Sequence, residues 1–566
     1  MLNWRVLMSQ PSIQLEREIS VRAAQPTARW RQFTSVLFNS PYLWVLLLLC
    51  CVSSLVISSS PIGDDANGCD PFGYLRSAQM FHNSGFAGGF DTRVKNEEAS
   101  FLVQTAKSIG LIPPEFSQIV APHGFHYCPA TNSVIHQYPP GTGLILWLFH
   151  PNRRVQWLLI LGMATVSLPF LLVAATHRLR PIDIFAFFAI ILAADQLILN
   201  AIEISASYSV PLTIALIPLA VWSAIKTASS SSVERWLGGV LLGLTSALLL
   251  LTRIPNVFIV AGLFCFLAVR LFFQLKNKLV LSVGPGALAL LLAIFCGALP
   301  VLLFNRINAG GFLASTYASV DTTPPQFSWG LISQRLHFYF QQSYAWQVTI
   351  SALLVLLCTV LAPLRRNCKS RQTLIATAVA GALTYVVNLV YFSTHEVQIP
   401  YYMAPACFFV LVLGILVFAE RKQPRNKVSS AHLWRVAAVL LLLGACARFE
   451  LRHFRPAVIK PAAPAGLTAA HSIVWADLTS GTLLYYNQKY AAKLLAGSPC
   501  VQDRMIQAVS DAGRPQYFID DSATMRDILT RLSAVADLKL VGTYNAFGDN
   551  PVYELANLKH RLTCSP

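Results

Sequence analysis

Residues 41–78 read PYLWVLLLLCCVSSLVISSSPIGDDANGCDPFGYLRSA. The run 41–58 is apolar and holds no charged side chain. About 20 such residues cross a hydrocarbon core of about 30 Å, so the run reads as a membrane-spanning helix. Three carboxylates, Asp64, Asp65 and Asp70, follow it directly. An apolar span that delivers acidic residues to the interface sets the frame for the whole chain.

The same signal recurs downstream. Further spans are expected at 155–176, 182–200, 209–225, 236–252, 255–272, 279–304, 347–363, 373–392, 400–419 and 433–447. That makes about eleven in a 566-residue chain that is 55% hydrophobic and only 12% charged, where a soluble domain carries about 25% charge. The apolar stretch 141–149 is too short, since a helix rises only about 1.5 Å per residue. The fold class expected is an α-helical polytopic membrane protein with a large first periplasmic loop and a small C-terminal α/β soluble domain.

The formal net charge of +17 is spread between the apolar runs, which is how orientation signals are laid out. No basic stretch reads as a nucleic-acid footprint, and no nucleic-acid partner is expected. With the N-terminus cytoplasmic, the inner loops carry Arg178, Arg180, Lys226, Arg235, Arg270, Lys276, Arg365, Arg366, Arg421 and Lys422. The short outer loops near 201–208 and 393–399 carry no Lys or Arg, so every hairpin obeys the positive-inside rule. Three parts follow: a cytoplasmic tail 1–40, a membrane domain 41–447 whose first outer loop is 59–154, and an extracytoplasmic domain 448–566. The outer side carries no N-x-S/T sequon, which favours a bacterial inner membrane facing periplasm. Cys69 with Cys128, and Cys500 with Cys564, lie on that side. An oxidising compartment admits two disulfides or four free thiols there.

In the tail, HSIVWADL, PQYFIDDS, KLVGTY and PVYELA read as strands. TLLYYNQKYAAKLL, VQDRMIQAVSDAG and ATMRDILTRLSAVADL read as helices. Gly513 suits a helix C-terminus, and Asp521 or Ser522 a helix N-cap. Strands alternating with helices suggest a small α/β domain.

Chemistry is sought first at the acidic interface. Carboxylates there can act as general bases, because partial desolvation raises their pKa. They could equally ligate a divalent cation, or belong to a solvated turn, in which Gly, Asp and Asn are ordinary. Asp70 opens an interfacial helix on which Tyr74, Ala78 and Phe81 share one side, either as its N-cap or as a side chain presented near the bilayer. His123, His126 and His136 leave a metal site open, but their spacing is not diagnostic. Arg253, in LLLLTRIPNVF, and Arg306 sit at outer span ends. There they can hold a phosphate or snorkel to the interface.

Three motifs together carry a family resemblance. DPFGYLRSA (70–78) resembles the Asp-containing first-loop motif of GT-C glycosyltransferases, the polyprenyl-phosphate-sugar-dependent membrane enzymes that include protein mannosyltransferases and aminoarabinose transferases. YPPG (138–141) is similar to the element that ends this loop in many bacterial members. FNRINAGGFLASTY (304–317) resembles their loop with Asn, a Gly-Phe pair and a Tyr. The likeness covers roughly 41–420, and the order of the motifs carries it.

The resemblance implies a GT-C fold, with Asp70 as catalytic base and Asp65 as competitor. Arg253 or Arg306 would bind the donor phosphate, and Tyr74, Tyr138 and Tyr317 would line the site. The partners implied are a polyprenyl-phosphate-linked sugar donor, a glycan, lipid or protein acceptor, and membrane lipids. No cofactor is required, though a divalent metal stays open. The chain departs from relatives that carry an Arg-Tyr pair before the tenth span. It reads STHEVQIPYYMAPA, with Tyr401 and Tyr402 and no Arg, so His395 or Glu396 would have to substitute. A transporter or flippase of lipid-linked sugars is the alternative; such proteins usually show repeats and broken helices, which this sequence does not. An anchor protein for the tail would not need the long polar first loop.

Overall fold

The computed structural model describes residues 63–562 except 67, 177–180, 206, 230, 277–282, 318–327, 342–345, 365–370, 395–398, 400, 421–460, 495–496 and 547. The expected spans 41–58 and 433–447, the tail 1–40, and His395, Glu396 and Cys564 lie outside the described residues.

The first outer loop is ordered as α1 (Cys69–Gly88), α2 (Glu97–Ser108), α3 (Pro113–Phe116), the antiparallel hairpin β1 (Phe125–Cys128) and β2 (Ser133–His136), and α4 (Pro140–Trp147). Long apolar helices follow: α5 (Arg154–Thr176), α6 (Pro181–Ser205), α7 (Ser209–Thr227), α8 (Ser232–Thr252) and α9 (Asn256–Lys276). Next come α10 (Val283–Ala293), a π-helical turn at Ile294–Ala298, α11 (Leu299–Ala309), α12 (Trp329–Gln341), α13 (Trp346–Leu361), α14 (Arg371–Ser393) and α15 (Ala404–Ala419). Seven helical stretches among the described residues are long and apolar enough to cross a membrane: Arg154–Ala174, Ile182–Leu199, Ser209–Thr227, Ser232–Thr252, Asn256–Gln274, Val283–Ala309 and Arg371–Ser393. Each overlaps an expected span. The spans expected at 347–363 and 400–419 are shorter helices, Gln347–Leu361 and Ala404–Ala419. The chain is a multi-pass helical membrane protein.

Two features explain the bundle's layers. Helix α7 is buried along its length and packs against α5, α6, α8, α9 and α15. The pair α10–α11 instead exposes Leu290, Leu291, Phe295, Leu299 and Leu303, an apolar face that lipid can cover while every backbone group bonds within the helix.

The C-terminal part forms the expected small α/β domain. Its five-stranded sheet has the order β4-β3-β5-β7-β6, from β3 (Ile473–Trp475), β4 (Ala491–Ala492), β5 (Gln516–Ile519), β6 (Ala536–Tyr544) and β7 (Asn550–Leu558). Strands β4, β3 and β5 run parallel, and β7 and β6 close the edge antiparallel. The helix expected over 482–495 is split: α16 (Ser480–Asn487) stops where Gln488 turns left-handed, and Ala491–Ala492 joins the sheet as β4. Helix α17 (Pro499–Asp511) is followed by Gly513 at φ +68°. Ser522 caps α18 (Ala523–Val535) by accepting from Met525 N at 3.2 Å. Asp521 is not the cap; its carboxylate accepts from Asp477 N and Thr479 N and binds the β3–α16 turn.

This domain sits on the first loop. Tyr490 Oη donates to Val120 O at 2.5 Å, Lys493 N to Ala121 O at 2.9 Å, and Lys489 Nζ bonds Glu98 at 3.0 Å. Gly481 lets α16 press onto Phe72, whose ring a Cβ there would meet at 2.3 Å. Cys500 is disulfide-bonded. Of the two readings left open for Cys69 and Cys128, the structure shows free thiols; Cys69 Sγ meets Tyr138 Oη at 3.0 Å.

Candidate active site

Asp64 does not face a reaction site. Its buried carboxylate accepts from Asn152 N and Val155 N, both at 3.1 Å, at the start of α5. The first N–H groups of a helix lack intrahelical acceptors, and the positive end of the helix favours an anion. The adjacent Arg154 is 2% exposed and donates to Tyr485 Oη at 3.3 Å. Asp65 is tied by its backbone, its carbonyl accepting from Tyr208 Oη at 3.0 Å. Asp64 and Asp65, adjacent in sequence, are therefore engaged by different partners.

Asp70 lies in the first turn of α1, behind Gly68 at φ +90°, and it is not the N-cap. Its side chain is taken by phenols from two other elements. Tyr138, just before α4, donates a hydrogen bond to Oδ1, and Tyr401 reaches Oδ2 at 3.5 Å. Gly73 makes this possible: a Cβ there would lie 2.3 Å from the Tyr138 ring. Gly141, the second residue of the loop's last helix, likewise lets α4 touch the backbone of Leu251, which a Cβ would meet at 2.5 Å. That close approach holds the loop against the end of α8, where Arg253 begins.

Around Asp70 the tyrosines stand ring to ring. Tyr74 lies 4.7 Å from Tyr138 between centroids and donates to Ser209 Oγ at 2.8 Å. Tyr317 meets Tyr138 edge-on at 6.0 Å, and Thr316 Oγ1 bonds Gln137 O at 2.7 Å, pinning that segment over the loop. Tyr401 comes from a turn at 401–403 that replaces the first turn of the span expected at 400–419. Arg253, in extended conformation at the end of α8, lays its guanidinium over Tyr402 at 5.2 Å, Phe392 at 5.7 Å and Tyr401 at 6.0 Å. One acid, one cation and five phenols thus share one neighbourhood.

Burial pushes the Asp70 carboxyl above the ordinary carboxylate range, opposed by the hydrogen bonds from Tyr138 and Ser207, the charge of Arg253 and the bond from Tyr401. A carboxylate with a raised pKa is a better proton acceptor. Burial also raises the phenols of Tyr74 and Tyr138 well above their usual value, with the negative charge of Asp70 adding to it. They stay protonated and act as donors.

Arg306 is not brought here. It is exposed, and its guanidinium turns back onto Gly310 O. The histidines are core residues of the loop: burial holds His123 and His136 at about 3 and His126 at about 4, so each is neutral. Among the described residues no three His, Cys, Asp or Glu side chains converge to hold a metal ion. Sequence reasoning passed over Ser207 and Ser209, and it read Tyr401 and Tyr402 only as an arginine missing from a motif. The signal was in PYYMAP (400–405), since a pair of tyrosines between two prolines at a span end suits an interfacial turn.

No family model matches the chain, and no curated protein matches it. Solved structures do. ArnT from Cupriavidus metallidurans in the apo state is 12% identical, with a TM-score of 0.46 over 92% of this chain and 99% of that one. The same protein bound to undecaprenyl phosphate is 13% identical, with a TM-score of 0.45 over 93% and 100%. The apo oligosaccharyltransferase of Archaeoglobus fulgidus is 10% identical, with a TM-score of 0.32 over 86% and 70%.

Proposed function

We propose that this chain is a membrane glycosyltransferase of the GT-C type. It moves a sugar from a polyprenyl-phosphate donor to an acceptor on the outer face of the membrane. The observation that carries this reading is Asp70: a carboxylate made more basic by burial, fixed by Tyr138, and placed in one aromatic cluster with Arg253. In the reaction an acceptor hydroxyl attacks the anomeric carbon of the donor sugar. Its proton passes to Asp70, the bond from that carbon to the phosphate oxygen breaks, and polyprenyl phosphate leaves as the anion. Arg253 binds that anion, since a guanidinium forms strong charge-assisted bonds to phosphate. The apolar helices provide the wall for the polyprenyl tail.

In this reading the chain lies in an inner membrane. The tail 1–40 is cytoplasmic, the membrane domain is 41–447, and the domain 448–566 stands on the periplasmic side with the first loop; the contacts between that loop and that domain support a shared side. Asp65 keeps a supporting place and Arg306 none. His395 and Glu396 stay candidates for a second contact to the donor.

The test is paired. Lipids copurifying with the protein are identified by mass spectrometry, and Asp70→Asn is assayed for sugar transfer and for binding of undecaprenyl phosphate. The expected result is polyprenyl phosphate bound to both proteins and transfer lost in the variant. Transfer at the wild-type rate in Asp70→Asn would remove Asp70 as the base.

A further inference from the structure

Cys69 stands immediately before Asp70, in the first turn of α1. Its sulfur lies 3.0 Å from Tyr138 Oη, and Gln137 Nε2 lies 3.7 Å from the same sulfur. The Tyr138 hydroxyl also donates to Asp70 Oδ1. Counting protons fixes the direction of each bond in this chain. A phenol has one proton, and an ionised carboxylate can only accept. The Tyr138 proton therefore goes to Asp70, and the phenol oxygen accepts in its contact with the sulfur. An amide NH₂ group can only donate, so Gln137 gives a proton to the sulfur. The thiol proton is left, and its place is on Tyr138 Oη.

The loop holds this chain of groups together. Gln137 N donates to Gly124 O at 3.0 Å, and Gln137 O accepts from Thr316 Oγ1 at 2.7 Å. Gly124, at φ +74°, closes over it: a Cβ there would meet the Tyr138 ring at 3.2 Å, Cys69 O at 3.3 Å and Cys69 Sγ at 3.8 Å. Burial pushes the Cys69 thiol up to about 12, with the charge of Asp70 adding to it. The thiol thus keeps the proton it has to donate.

We infer that Cys69 is a positioning residue: its thiol donates to the Tyr138 hydroxyl and so keeps that hydroxyl's single proton directed at Asp70. This rests on the reading of Asp70 as the base and deepens it. A hydroxyl that accepts one hydrogen bond becomes a better donor in the next. Cys69 therefore acts on the carboxylate through the phenol, without touching the reacting atoms. The other groups acting with Asp70 are Arg253, Ser207 and the phenols of Tyr74, Tyr317 and Tyr401. Lys493 is the cation that acts on the thiol. All of these stay unchanged in the variants below.

The test uses the full-length protein, with melting temperature as the folding control. Cys69→Ala weakens the Tyr138 bond, which stabilises the charged form of Asp70. The Asp70 pKa then rises, and the acid limb of the pH–rate profile should move to higher pH by about 0.3 pH units, a roughly twofold loss along that limb. Cys69→Ser keeps a donor and should restore the wild-type limb. In a Tyr138→Phe background, Cys69→Ala should move the limb no further, because the thiol acts only through the phenol. A limb that stays in place in Cys69→Ala, moves equally in Cys69→Ser, or moves again in the Tyr138→Phe background overturns the inference. The infrared S–H stretch of Cys69, taken by difference against Cys69→Ser in the same background, reads the bond without any assay of transfer. Tyr138→Phe should shift that band toward a free thiol, and a band that stays in place overturns the inference. If Cys69→Ala does not fold, this measurement decides alone. A band that shifts while Tyr138→Phe leaves the acid limb unmoved defeats instead the reading of Asp70 as the base.

Discussion

Asp64 and Asp70 stand in one short stretch of sequence, and burial raises the pKa of both. Their partners are of different kinds. Asp64 accepts from two backbone N–H groups and lies beside Arg154, so its charge is consumed in starting α5. Asp70 accepts from phenols that come from α4's approach and from the turn before α15, and Arg253, whose charge acts on it, stacks on aromatic rings. Backbone donors are fixed by the fold and make a structural contact. Phenol donors at the meeting point of three elements leave a carboxylate that is oriented but still able to take a proton.

Exchanging the two acids separates these roles most sharply. Asp70→Asn keeps the shape and removes the base. Transfer should fall by about 10² to 10⁴-fold, the usual worth of a general base, with the melting temperature in detergent near that of the wild type. Asp64→Ala should do the reverse. Loss of the cap leaves two N–H groups and Arg154 without their acid, a cost of roughly 1–3 kcal/mol, read as a lower melting temperature with transfer retained in the folded fraction. A variant pair with the opposite pattern would break the distinction.

How much of this was legible beforehand differs between the two acids. Asp70 stands out because DPFGYLRSA and YPPG are local patterns. Their meeting requires only that Gly73 admit the Tyr138 ring. Asp64 was not legible as a cap, because the helix it caps starts 90 residues later, at Arg154. The membrane helices among the described residues were legible almost to their ends, since length and apolarity decide them. They failed where a turn serves the site: residues 401–403 leave the helical path and deliver Tyr401 to Asp70. Arg306 and Arg253 looked equivalent at span ends. What separates them is the aromatic floor of Phe392, Tyr401 and Tyr402, which no local pattern predicts. In the tail, TLLYYNQKYAAKLL reads as one helix, but pairing of Ala491–Ala492 with β3 at the sheet edge takes those two residues out of it.

The phenols sharpen the comparison further. The Tyr138 hydrogen bond stabilises the charged form of Asp70 and so lowers a pKa that burial raises. Removing it in Tyr138→Phe must raise the Asp70 pKa further. Since transfer needs the deprotonated carboxylate, the acid limb of the pH–rate profile should move to higher pH. The loss in Tyr138→Phe is then largest in acid and shrinks as pH rises. A limb that stays in place, or moves to lower pH, would show that Asp70 is not the group being titrated.

Tyr401→Phe should show the same displacement in miniature. Its contact with Oδ2 is 3.5 Å, at the far edge of hydrogen-bonding distance, and it acts on Asp70 more weakly than Tyr138, Ser207 or Arg253. A bond that long contributes little, so transfer should fall about threefold or less, with the acid limb shifted less than in Tyr138→Phe. The order of the two variants matters more than either value. Tyr138 is carried by the same loop as Asp70, whereas Tyr401 comes from the turn before α15, so its distance reports how tightly that membrane helix closes on the loop. A larger effect from Tyr401 than from Tyr138 would mean that the turn at 401–403 draws in when donor binds, and that the base is set by the bundle and not by its own loop.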